Sequence, residues 1–305
     1  MKSQIYIFTR LFNVHDRINA LQLCEKIEKG IQVGEINKKY LCYLPYRDSN
    51  EKVKEKKNKT YEIFRMDCEA ISHSDLLVGY LDGPVYDSGI GFELGYAYVL
   101  GKKILVMSSD YFYTCRNSEE MNSVCSLLES ISTVIHIRDV DAKLEYKDGL
   151  LHLRNLLWEK MIVEINNMTA RQPCFVPGNE IKYEYFIDAA FGEHEPGREV
   201  LEKIIQLLSN KDISYYVGER QDYINGENLI KSIKKCKNVI VYSDSFELNI
   251  ESSIMQGIAY ALNKNVILYA SDRLSLYQNK DFILNKNPMI EHSANKVVST
   301  YKEIK

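Results

Sequence analysis

The chain has 305 residues, a net charge of −3 at neutral pH, 45% hydrophobic and 27% charged side chains. That length suits two domains, each burying its own core, and the charge balance excludes the basic surface a polynucleotide-binding protein needs. Seven cysteines with no C-x-x-C pair argue against a metal centre or disulfide framework and for reduced thiols in a cytoplasmic protein. No apolar run approaches the roughly 20 residues of a membrane span.

The predicted elements alternate from the start. Ile5-Tyr6-Ile7-Phe8 reads as a first strand, and residues 15–29, with Ile18, Leu21, Cys24 and Ile27 at helical spacing, as the crossover that follows. Tyr40 to Leu44 is a second strand ended by Pro45. The polar stretch from Asp48 to Thr60 carries five lysines and reads as a solvated loop, with a phosphate-handling lid as the alternative. Residues 61–72 return to a helical pattern in which Ile63, Met66, Ala70 and Ile71 form the stripe and Asp67 points elsewhere. From Asp75 to Asp110 comes the densest stretch: a strand at Leu76-Leu77-Val78, an acidic loop with Asp82, Asp87, Gly83, Gly89 and Gly91, a helix from Phe92, and a strand from Ile104 to Met107. This is a βαβ unit of a parallel sheet, with a ligand crevice expected beyond the carboxyl end of its first strand. A helix over 117–129, a strand over Thr133–Ile137 and a helix over 150–166 containing Trp158 complete a doubly wound domain ending near residue 170.

Three carboxylates stand out. Glu93 falls in the first turn of the expected helix, where unpaired N–H groups favour a negative charge, and Asp87 lies just ahead of it. Read singly, each has an ordinary explanation: Glu93 as a dipole partner, Asp87 as a turn residue, Asp67 as a solvated helix face. Four of the histidines (15, 73, 136, 152) show no metal or triad spacing.

Together, the motifs Asp87-Ser88-Gly89, Glu93-Leu94-Gly95-Tyr96-Ala97 and Gly101-Lys102 resemble the nucleoside 2-deoxyribosyltransferases, with which related nucleotide N-hydrolases share much of the pattern. The resemblance implies Glu93 as a nucleophile, Asp87 as a sugar-contacting carboxylate, Asp67 as the acid that handles the base's proton, Tyr6 as the group orienting Glu93, and Phe12 as a ring against the substrate. It matches Asn122 to an asparagine that reaches into a neighbouring subunit's site. Arg10, Arg47, Asp48, Asp82 and Gly89 join the expected substrate-binding set, Arg10 and Arg47 as cations a phosphate would want. Two departures appear: Phe8-Thr9-Arg10-Leu11 lacks the glycine that usually turns the chain after the first strand, and Tyr46-Arg47-Asp48 follows Pro45 where the base would be contacted.

The second half repeats the first. An offset of 162 pairs Gly95 with Gly257, Ala97 with Ala259, Tyr98 with Tyr260, Lys102 with Lys264 and Asp110 with Asp272; upstream, Tyr185 to Phe191 resembles Tyr6 to Phe12 at an offset of 179. The linker falls near Arg171 to Gly178, dividing the chain into a catalytic domain over 1–172 and a degenerate repeat over 173–305, both flavodoxin-like or Rossmann-like. The same offset sets Met255 opposite Glu93, Asn249 opposite Asp87 and Leu229 opposite Asp67, so the copy lacks the acids and acts as a built-in partner, making the monomer a pseudo-dimer. The expected function is cleavage of the N-glycosidic bond of a nucleoside through a glycosyl-Glu93 intermediate, with transfer to another nucleobase and no cofactor. Two alternatives are hydrolysis of a nucleoside 5′-monophosphate or NAD-like nucleotide, as in a defence effector, and a nucleotide sensor without turnover. The partners expected are small molecules and further copies of the chain, not nucleic acid or membrane.

Overall fold

The computed structural model describes residues 3–49, 58–82, 86–109, 114–115, 121–122, 124–137, 146–168, 180–190, 195–244, 247–271, 276–279, 282–284 and 286–304. Its first half runs β1 (Ser3–Phe8), α1 (Val14–Val33), β2 (Tyr40–Tyr43), α2 (Pro45–Asp48), α3 (Lys59–His73), β3 (Leu76–Tyr80), α4 (Ser88–Val99), β4 (Lys103–Ser108), β5 (Thr114–Cys115), β6 (Met121–Asn122), α5 (Ser126–Ile131), β7 (Thr133–His136) and α6 (Tyr146–Asn167). The second runs β8 (Tyr183–Ile187), α7 (Glu195–Ser209), β9 (Tyr215–Val217), α8 (Gly226–Lys234), β10 (Cys236–Ser243), α9 (Ile250–Ala261), β11 (Asn265–Ala270), β12 (Leu276–Asn279), β13 (Phe282–Leu284), α10 (Pro288–Ser293) and β14 (Lys296–Val298).

Two five-stranded parallel sheets result, in the orders β2-β1-β3-β4-β7 and β9-β8-β10-β11-β14, which are one topology traced twice. Strands buried on both faces explain the continuous apolar runs of the sequence. In β1, Ile5 and Ile7 face a core with α1 and α6, whereas Tyr6 and Phe8 face the other side. That other core is shared: it joins Phe64, Phe92 and Leu94 of the first half to Phe186, Leu229, Ile254 and Met255 of the second. A separate core lies under α7 on the outer face of the second sheet.

The halves meet along α4 and α9, and glycine makes the approach possible. A Cβ on Gly95 would lie 2.0 Å from the carbonyl oxygen of Ile254, and one on Gly257 would lie 2.1 Å from that of Phe92. Phe92 and Ile254 are themselves 162 positions apart, so each glycine touches the counterpart of the residue that touches its own counterpart. This reciprocity is what a two-fold contact between identical surfaces produces. Around it Phe64, Phe92, Tyr96 and Tyr260 pack with ring centroids 5.5–6.1 Å apart.

Three local expectations change. The helix expected from Phe92 begins at Ser88, because Asp87 caps it by accepting from the Gly89 N–H at 2.7 Å, and glycines 89 and 91 stay helical beneath close neighbours from the second half. Within the expected helix 117–129, Met121–Asn122 pairs as a strand with Thr114–Cys115, and helix forms only from Ser126. In the sheet register Ile5 and Tyr185 occupy equivalent places beside Leu76 and Asn238, so the upstream offset is 180 and the counterpart of Tyr6 is Phe186. Most of the lysine-rich loop (50–57) and the linker (171–178) lie outside the described residues. Among the described residues no helix is long and apolar enough to cross a membrane.

Candidate active site

The sheet register brings the first four groups together. Tyr6 on β1 and Tyr43 on β2 are direct neighbours, and their rings stack with centroids 5.6 Å apart and planes 16° from parallel. Each hydroxyl reaches up into the helix layer to hold one acid. Tyr6 donates to Glu93 Oε1 at 2.7 Å, and Tyr43 donates to Asp67 Oδ1 at 3.1 Å. Glu93, 7% exposed, comes from the second turn of α4, and Asp67, 3% exposed, from α3. The place of Asp67 in the sequence pattern suggested a solvated face; here it is buried.

Desolvation governs the protonation of this pair. Burial raises the Glu93 carboxyl well above its ordinary range, the charge of Asp67 adds to that, and the Tyr6 hydrogen bond opposes it. Burial pushes Asp67 up to about 7 against hydrogen bonds from Tyr43 and Ser49. Two carboxyls in one water-poor space resist ionising together. Tyr6 is raised by burial, then by Asp67 and Glu93, and stays a donor.

Asp87 forms the rim. Besides capping α4 it accepts from Asn287 Nδ2 at 2.8 Å, a contact that crosses from the second half. Burial and then the charge of Glu247 push Asp87 up to about 7. Glu247, also from the second half, accepts from the backbone N–H of Ser88 at 2.7 Å and, at very short range, from its hydroxyl. Gly89 lies beneath Asn287, where a Cβ would be 2.7 Å from the amide oxygen.

The other expected residues are placed less centrally. Arg10 lies 4.0 Å from Asp16, and its charge favours the ionised forms of Asp87 and Glu247. Phe12 is 46% exposed at the end of the β1 loop. Asp82 accepts from the Ser109 N–H at 2.7 Å and from the hydroxyls of Ser108 and Ser109, tying the ends of β3 and β4. Arg47 and Asp48 pair with each other at 3.1 Å, and Arg47 turns toward α1, reaching Glu28 at 3.3 Å and Cys24 Sγ at 3.5 Å. Its guanidinium thereby supplies positive charge to Cys24, Glu28 and Cys42, three potential metal donors whose ligand atoms lie within 4.8 Å of one another. Asn122 sits in β6 with its side chain outside the described residues. A cavity of about 400 Å³ between α1 and α6, lined by Arg10, Asp82, Arg154 and Trp158 among others, lies away from Glu93.

Sequence reasoning missed Tyr43, Ser88, Glu247 and Asn287. Tyr43 was within reach, since a tyrosine on the strand beside Tyr6 is a cross-strand neighbour. Nothing in the linear order tied Asn287 to Asp87, 200 positions away.

The segment holding Asp67, Asp87 and Glu93 matches the family model described as nucleoside 2-deoxyribosyltransferase. The match runs over residues 17–150. The matched span is less than half of the chain and begins after Tyr6, Arg10 and Phe12. The similarity of this segment to the nucleoside 2-deoxyribosyltransferases supports chemistry at an N-glycosidic bond in general terms. No curated protein matches the chain significantly. Among solved structures, a conserved protein from Enterococcus faecalis V583 is similar at 23% identity over 55% of this chain and 99% of that one, with a TM-score of 0.35. The CMP N-glycosidase BcmB of Clostridium botulinum is similar at 16% identity over 50% and 98%, with a TM-score of 0.28. These two likenesses are too distant to carry an argument about activity.

Proposed function

We propose that the chain cleaves the N-glycosidic bond of a 2′-deoxynucleoside through a covalent glycosyl-Glu93 intermediate and passes the sugar to another nucleobase. The observation that carries this reading is the Tyr6 hydroxyl on Glu93 at 2.7 Å, with Asp67 in the same buried network. A glutamate held by a neutral donor, within the field of a second buried carboxyl, supplies the nucleophile and acid that glycosyl transfer requires.

In the first step Glu93 Oε forms a bond to the anomeric carbon while the C–N bond breaks, and its electron pair leaves with the base. Asp67, whose carboxyl burial raises to about 7, gives its proton to a ring nitrogen of that base. In the second step a nitrogen of the incoming base attacks the anomeric carbon, Glu93 leaves as carboxylate, and the incoming base's proton returns to Asp67. Asp87 accepts a hydroxyl of the sugar, and Asn287 fixes the direction in which Asp87 points. Water in place of the second base would make the outcome hydrolysis.

The test is incubation with deoxyinosine and adenine, with chromatography of the products. Formation of deoxyadenosine is the expected result. Free hypoxanthine without deoxyadenosine would replace transfer by hydrolysis, and no release from nucleosides, nucleoside monophosphates or NAD would remove the enzymatic reading.

A further inference from the structure

The N-terminus of α4 already holds an anion, and the second half of the chain provides it. A helix start presents unpaired N–H groups and the positive end of the macrodipole, which makes it a seat for phosphate. In this protein the seat is taken by the Glu247 carboxylate, bound to both the N–H and the hydroxyl of Ser88.

Its place relative to the reacting centre follows from helix geometry. Gly89 precedes Glu93 by four residues, about 6 Å of rise, on nearly the same side of α4. A furanose spans a similar length from its anomeric carbon to its 5′ oxygen. With the anomeric carbon over Glu93, the 5′ end therefore reaches the turn from Asp87 to Gly89. Two carboxylates face that turn, Asp87 and Glu247, and Asn287 bonds to both of them. Arg10 is a cation whose field reaches both acids and favours their ionised forms, against the burial that raises both.

A 5′-hydroxyl arriving there is a donor and finds acceptors. A 5′-phosphate arrives with about −1.5 to −2 charges and must either displace Glu247 from Ser88 or lie against two carboxylates. We propose that Glu247, delivered by the C-terminal half, occupies the phosphate position at the start of α4 and restricts the pocket to nucleosides with a free 5′-hydroxyl. The inference rests on the glycosidic reading above and names the substrate class within it. Specificity here comes from a repulsive element built against the wrong substrate as much as from a contact to the right one.

The experiment compares kcat/KM for a 2′-deoxynucleoside and for its 5′-monophosphate, in the full-length protein and in Glu247→Gln, with base release read by chromatography. The wild type is expected to favour the nucleoside by about 100-fold or more, and Glu247→Gln to lower that ratio by at least about tenfold, mainly through the KM of the monophosphate. A binding arm uses Glu93→Ala, which holds the intact monophosphate without turnover. Calorimetric titration should show Glu93→Ala/Glu247→Gln binding the deoxynucleoside monophosphate at least about tenfold more tightly than Glu93→Ala alone.

A wild type that cleaves the monophosphate as well as the nucleoside overturns the proposal. So does an unmoved ratio in Glu247→Gln with Glu93-dependent nucleoside cleavage intact, an outcome that spares the glycosidic reading. Base release from neither substrate removes both.

Discussion

The two halves of this molecule share a sheet order and differ where the chemistry would be. At the places of Glu93 and Asp67 the second half has Met255 and Leu229, and in the sheet register Phe186 stands where Tyr6 does, all three fully buried. The helix cap survives the change: Asp87 caps α4 and Asn249 caps α9, each with its own side chain. The second half has acid–tyrosine contacts of its own, Tyr223 to Asp188 at 2.6 Å and Tyr216 to Asp222 at 2.9 Å. Tyr216 stands beside Phe186 as Tyr43 stands beside Tyr6, while Asp188 follows β8 at the place that Phe8 holds in the first half. The comparison teaches that both halves keep the cap and the close helix contact, whereas carboxyls at the places of Glu93 and Asp67, which cost desolvation, stand in the first half alone. The second half contributes differently, by bringing Asn287 and Glu247 against Asp87 and Ser88 of the first.

The largest effect should come from exchanging the roles of the two equivalent positions. Glu93→Ala is expected to reduce base release by about 10³-fold or more while leaving the thermal midpoint close to that of the wild type. Met255→Ala should do the reverse, costing about 2–4 kcal/mol of stability through the cavity it leaves while the folded fraction turns over normally. If Met255→Ala lost turnover without losing stability, the apolar reading of the second half would be wrong.

Next in size is the reciprocal glycine contact. Gly95→Val and Gly257→Val each drive side-chain atoms into a backbone carbonyl of the facing helix, and each should destabilise by about 3 kcal/mol or more. Because the contact is reciprocal, chemical denaturation should give similar losses for the two. A loss confined to one would mean that the helices do not cross about a shared axis.

A smaller effect tests the loan from one half to the other. Asn287→Ser keeps a cap for α10 but shortens the reach to Asp87, so kcat/KM should fall by about tenfold with less than about 1 kcal/mol lost in stability. An unchanged kcat/KM would show that Asp87 needs no partner from the second half.

A last test is the pH dependence of stability, to which the raised Asp67 contributes in the first half as the raised Asp188 does in the second. The Asp67 carboxyl is raised on folding from about 3.9 to about 7, so the folded state holds its proton more firmly than the unfolded chain. Its contribution to stability is complete below about pH 4 and is lost as pH rises toward 7. The midpoint should therefore decline across that window, and Asp67→Asn should flatten the decline. A profile that Asp67→Asn leaves unaltered would mean that Asp67 does not carry that proton.

Several of these features could be read before any fold was known, and for local reasons. Alternating apolar runs marked nine of the strands and helices of the first half, since strands buried on both faces must be continuously apolar. The start of α4 was misplaced because glycines 89 and 91 argue against helix in isolation, whereas here they lie under Asn287 and Ser253. The strand offset slipped by one because Tyr185 looks like Tyr6, while the pleat, with its period of two, sends Tyr185 to the opposite face and Phe186 to the shared core. Arg47 reads in the sequence as a cation for a phosphate, and only the fold shows its partners Asp48, Glu28 and the Cys42 carbonyl.

By itself, then, the linear order determined the strand–helix alternation, the repeat at 162 positions, and the spacing of Asp67, Asp87 and Glu93, because each is written in neighbouring residues or in a constant offset. The pairing of Tyr6 with Tyr43, the burial of Asp67, and the arrival of Asn287 and Glu247 at the mouth of the first sheet were decided by tertiary structure. The physical reason is that these depend on sheet register and on two helices close enough for a glycine to touch a carbonyl. Contacts of that kind join residues separated by as many as 200 positions, and no local pattern encodes them.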